Sequence, residues 1–116
     1  MKVKILGVSL EANLGNPQTA RRFEDSVEQA LLKMREAEAE PRGSDGMKMQ
    51  CQAVYDAMEQ IFGTEGAQAV LGKPEELDIL RCMDAFDEYV NIYGKQVGPM
   101  IEKRVERYSR ARLNGR

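Results

Sequence analysis

The chain has 116 residues, 42% hydrophobic and 31% charged, with a formal net charge of −2. That is the composition of one globular domain with a modest core, and the charge supplies no general attraction to nucleic acid or anionic lipid. No histidine is present, which removes the usual neutral-pH acid–base group, the Ser–His and Cys–His nucleophile pairs and the commonest metal ligand.

In chain order, Val3, Ile5, Val8, Leu10, Ala12 and Leu14 recur at period two around Gly7, which predicts two short strands or one bent strand over residues 1–14. This alternation is not the unbroken apolar core of a secretory signal, and no apolar run approaches the ~20 residues of a membrane span; a cytoplasmic protein is expected. A lone hairpin needs support, and its open edges are a plausible contact between chains. Asn16-Pro17 is a cap followed by a first-turn proline, opening a helix over about 17–39. There Ala20, Val27 and Met34 share one heptad position, Phe23, Ala30 and Ala37 share its partner, and Leu31 widens the stripe. That seam suits either a bundle core or association between chains.

Residues 40–46 read as a turn-rich loop. A second helix over about 46–62 carries Met47, Cys51, Val54, Tyr55, Met58, Ile61 and Phe62 at helical period, with Gly63 as its cap. Residues 67–71 form a short helical turn, and Pro74 starts a third helix whose stripe is Leu77, Leu80, Met83, Ala85 or Phe86, Val90, Tyr93 and Val97. Gly94 and Gly98-Pro99 bend or end it near Val97. A last helix, about 99–112, sets Ile101, Val105 and Tyr108 on one stripe among Lys103, Arg104, Arg107 and Arg110, and residues 114–116 should fray. The expected fold is therefore mostly α: one small domain of four to five helices with a short N-terminal β element (1–14), a helical body (17–97) and a basic C-terminal helix (99–116).

Charge is unevenly spread. Residues 24–88 hold sixteen acids against six bases, net −10, whereas residues 89–116 hold seven bases against two acids, net +5. The acidic body and basic tail either pair head to tail between copies or meet water and each other within one chain. The basic helix is also the one segment suited to phosphate contact, though Glu102 and Glu106 dilute it. Seven methionines are present; Met34, Met47 and Met58 are candidates for gripping a partner helix, or gap filler in a core. Cys51 and Cys82 read as small buried hydrophobes. Gly66 to Lys73 has the wrong spacing for a phosphate loop, with Pro74 where Ser or Thr would stand. Asp78, Asp84, Asp87 and Glu88 read as a solvated acidic face. No catalytic, cofactor-binding or metal-binding residue is predicted, and no cofactor.

One segment carries a family resemblance. Phe62-Gly63-Thr64-Glu65-Gly66, Leu71-Gly72-Lys73, and Cys82-Met83-Asp84-Ala85-Phe86 with Tyr89-Val90 resemble the small tail assembly chaperones of tailed phages, encoded just before the tape measure protein. The resemblance implies a non-enzymatic protein of the host cell cytoplasm that binds the tape measure protein, tail tube subunits or both, as a homo-oligomer and without membrane contact. Candidate partner-binding residues are Met34, Met47, Met58, Lys103, Arg104, Arg107 and Arg110. The basic helix has no counterpart in that family. Two other functions fit the residues: a phage nucleic-acid-binding or regulatory protein using the basic helix, and a small inhibitor of a host protein using the acidic helices.

Overall fold

The computed structural model describes residues 1–114. Strand β1 (Lys2–Ile5) pairs antiparallel with β2 (Val8–Glu11), Lys2 opposite Glu11 and Ile5 opposite Val8. The two-residue turn between them has positive φ at both positions, 49° at Leu6 and 78° at Gly7, the geometry whose twist matches that of a hairpin. Alternation then sends Val3, Ile5 and Leu10 into the core and Lys2, Lys4, Ser9 and Glu11 to solvent.

Helix α1 (Pro17–Ala37) begins as its capping signal predicts: Asn16 Oδ1 accepts from the Gln18 and Thr19 amides at 2.8 and 3.3 Å. Helix α2 (Gly43–Leu71) starts inside the segment expected to be loop, so the connection shrinks to residues 38–42. α1 and α2 pack antiparallel along a seam of small side chains, Ser26, Ala30 and Ala37 against Gly46, Ala53 and Ala57, all buried. Small residues let the two backbones approach closely. Gly63 breaks α2 into two limbs with φ 76° and ψ 175°, a conformation essentially reserved for glycine. Arg22 Nη2 donates to the Gln60 carbonyl freed near that break, at 3.2 Å, and Arg81 Nε donates to the Val70 carbonyl at the end of the second limb, at 2.6 Å.

The third helix begins later than expected. Pro74–Glu76 is a single 3₁₀ turn, and α3 (Ile79–Val90) starts at Asp78, whose Oδ2 caps the Arg81 amide at 3.0 Å. The buried stripe is consequently Cys82, Ala85, Phe86, Tyr89 and Ile92, and Leu80, expected inside, is 73% exposed. Leu31 is likewise exposed rather than part of the α1 seam. A π-helical segment (Tyr93–Val97) follows, and α4 (Gly98–Asn114) completes four helices. Asn114 closes α4, while Gly115 and Arg116, also expected to fray, lie outside the described residues.

The core joins all these elements. Phe23 stacks at tilted angles on Tyr89 and Tyr93, centroids 4.9 and 4.8 Å apart, and Phe62 and Phe86 flank Tyr89. The outer edge of β1, one of the edges expected to be open to another chain, is capped at Lys4 and Leu6. The Gln96 side-chain amide accepts from the Lys4 amide and donates to the Lys4 carbonyl, both at 2.8 Å, and Glu88 accepts from the Leu6 amide at 2.9 Å. No helix among the described residues is long and apolar enough to cross a membrane.

Candidate protein-docking site

Helix α4 stands clear of the body. It packs substantially only on the π-helical segment before it, and the molecule measures 68 Å along its longest axis against 24 and 20 Å across. A 17-residue helix accounts for ~25 Å of that length. At Gly98, where the arm departs, an added Cβ would meet the Tyr93 carbonyl oxygen at 2.9 Å, the same group that accepts the Gly98 amide. The widened π turn thus requires glycine at the base of the arm.

Ile101, Val105 and Tyr108 lie one turn apart along the arm and are 47%, 59% and 66% exposed. At ~100° per residue, Arg104 and Arg107 flank this stripe on one side, Glu102 and Glu106 on the other, and Lys103 and Arg110 occupy the back. Arg110 is paired with Glu106 at 2.9 Å. The arm is therefore an amphipathic helix whose apolar face is largely uncovered by the described residues and whose two flanks carry opposite charge.

The body bears a concavity. The first turns of α2 and the segment from Pro74 to Ile79 enclose an open groove of about 570 Å³. Met47, Leu77 and Ile79 supply its apolar surface, Lys48 stands on the α2 wall, and Glu75 and Asp78 stand on the opposite wall. Two smaller depressions lie between α1 and α2, lined by Ser26, Gln29, Lys33, Asp56 and Gln60, and beside Phe23 and Tyr93.

The candidate residues do not form one patch. Lys103, Arg104, Arg107 and Arg110 share the arm, all exposed; Met47, 49% exposed, lines the groove; Met34 packs half-buried against the core from α1. Met58 is 0% exposed at the centre of the fold, so it is a core side chain and drops out of the binding set. Leu77, Ile79, Glu75 and Asp78 escaped the sequence reading because a continuous helix from Pro74 gave no groove; the Asp78 capping position was the one available signal. The acidic set is dispersed: Asp78 caps α3 and Glu88 holds the Leu6 amide, while Asp84 and Asp87 face solvent. No group of three or more Cys, Asp and Glu residues suited to a metal occurs among the described residues. Cys51 and Cys82 are free thiols side by side in the core; burial, and then the neighbouring Cys51, push Cys82 up to about 12.

Comparison with curated proteins and with solved structures returned no match. The sequence model of one family, described as a family of unknown function (DUF6673), matches residues 6–116, and the chain belongs to that family.

Proposed function

We propose that this chain is a non-enzymatic assembly protein of the tail assembly chaperone type, which binds the tape measure protein, tail tube subunits or both during phage tail morphogenesis. The observation that carries this reading is the arm, a helix that leaves Ile101, Val105 and Tyr108 about half exposed or more and, among the described residues, packs substantially only on the segment before it. Exposed apolar stripes on a projecting helix fit recognition by helix-to-helix packing. Leu31 and Leu32, exposed on α1, offer a second apolar patch for a long coiled-coil client. Many copies along one filament would bind by avidity, so each contact need only be weak. The segment resembling those chaperones, Phe62 to Val90, forms the α2–α3 scaffold, while both docking elements flank or extend it.

The test is co-expression of this chain with any tape measure and tail tube proteins encoded in the same genome. A soluble complex with either, weakened by replacing Ile101 and Val105 on the arm with Ser, supports the reading; failure to bind either protein overturns it. The exposed basic residues of the arm give nucleic acid a place in the same experiment: salt-dependent DNA binding, lost when Arg104 and Arg107 are neutralised, with no protein complex, would replace this reading with the regulatory one.

A further inference from the structure

We propose that the occupant of the α2–α3 groove is the α4 arm of a second copy, so that the chain associates with itself head to tail. The inference rests on reading α4 as a protein-docking arm, and is independent of which client the assembly serves.

Three observations point to this pairing. The arm is incomplete alone: a helix of 17 residues that packs on little else lacks the packing of its amphipathic face from which helices in proteins draw most of their stability. The groove also matches the arm in chemistry on both walls. Ile101, Val105 and Tyr108 face the apolar surface of Met47, Leu77 and Ile79, Arg104 and Arg107 run along the wall of Glu75 and Asp78, and Glu102 and Glu106 run along the wall of Lys48. One orientation satisfies both walls, and its reverse sets like charges against each other, so the charges fix direction as well as affinity. Finally, the arm extends away from the body along the 68 Å axis, leaving its own groove open to a neighbour.

A contact between two different surfaces of identical chains is heterologous. It closes into a ring if the rotation allows and otherwise grows as a helical filament. An interface of one short helix in a groove buries on the order of 1,000 Å², which belongs with transient, micromolar contacts.

The experiment uses the purified full chain with no other protein present, so it is separate from any test of client binding. Sedimentation from ~1 µM to ~1 mM spans the affinity expected of such an interface; the mean mass should rise with concentration and fall back with added salt. Val105→Glu on the arm and Met47→Glu in the groove sit at exposed positions and should keep the helical circular dichroism, while each weakens self-association on the order of tenfold or more. Mixed together, the two variants should form a one-to-one heterodimer and nothing larger, since one good arm and one good groove remain. A wild-type chain that stays monomeric throughout, with or without nucleic acid on its arm, overturns the proposal. So does a mixture of the two variants that yields no heterodimer, or a Val105→Glu chain that associates as well as the wild type.

Discussion

Tyr89 and Ser26 share two protons among three short contacts. Ser26 Oγ lies 2.6 Å from the Phe23 carbonyl and 2.6 Å from Tyr89 Oη, which is itself 3.1 Å from the Ala57 carbonyl. Ser26 can donate to the Phe23 carbonyl or to Tyr89, and Tyr89 to the Ala57 carbonyl or to Ser26, so with two protons for three contacts one contact is always without a proton. Apart from the tyrosines, Ser26 is the one buried polar side chain among the described residues, and its presence on an otherwise apolar seam follows from the phenol opposite it. Tyr89→Phe and Ser26→Ala should each cost about 1 kcal/mol, since the remaining partner keeps an acceptor of its own. The double variant should cost less than the two together, because they share a bond, and urea denaturation of the four chains measures that coupling. Burial also raises the Tyr89 hydroxyl above its ordinary range and holds Cys82 at about 12 instead of 9.0. Both groups stay protonated in the fold at pH values where the unfolded chain has begun to lose those protons. Stability is therefore unaffected by Cys82 below its unfolded value and declines as pH rises through the window from 9.0 to about 12, with a slope no steeper than ~1.4 kcal/mol per pH unit for each group. Cys82→Ala, though less stable at neutral pH, should show a shallower alkaline decline in the same denaturation series.

Among the elements, local signals decided wherever a residue acts on its own neighbours. Asn16 with Pro17, the period-two strands and the break at Gly63 all stand where their chemistry predicts. Gly63→Ala tests the last of these: nothing lies within 4 Å of the added methyl, so any loss is backbone strain alone, on the order of 2 kcal/mol, read from the urea midpoint. Long-range pairing was not legible. Ile79, Leu80, Cys82, Met83, Ala85 and Phe86 make α3 apolar on several faces, and periodicity cannot say which of them meets α2. The structure chooses the face with the smaller Cys82 and Ala85, because α3 must approach α2 closely beside Tyr89, and Leu80 is left outside. Gln96 closing the edge of β1 across 92 residues left no trace in a single sequence, nor did the π turn that aims it there. Gln96→Ala removes both of its bonds to the Lys4 backbone and should cost about 1 to 2 kcal/mol at this exposed edge. Faster amide exchange at Lys4, with α1 and α2 unchanged, would locate the loss in the hairpin. The groove was hidden by the same boundary error, since a helix continued back to Pro74 would fill the space that the 3₁₀ turn leaves open.

On the scale of the whole molecule, stability and docking reside in different parts of the chain. Every buried apolar side chain among the described residues lies at or before Val97, so the hairpin and α1 to α3 form a complete core and α4 adds little to it. Ending the chain after Val97 should therefore leave the body's urea midpoint nearly unchanged at micromolar concentration, within ~0.5 kcal/mol, as for surface changes that touch no core contact. The truncated chain should also lose helical signal in proportion to the arm alone. It changes the charge balance as well: without Gly98 to Arg116 the chain loses six bases and two acids, which takes its net charge from −2 to −6 and removes the basic arm. Head-to-tail docking makes a further demand on the intact chain. Amides of α4 should exchange quickly in dilute solution, where the arm frays as an isolated helix, and slow as concentration rises and neighbouring grooves fill. Hydrogen exchange at two concentrations, read segment by segment, checks this directly. Protection that grows in α4 and around Met47 and Leu77 together, with the α1–α2 seam unchanged, places the contact where the charges of the two surfaces agree. Slow exchange in α4 at every concentration would mean instead that the arm is covered by its own chain.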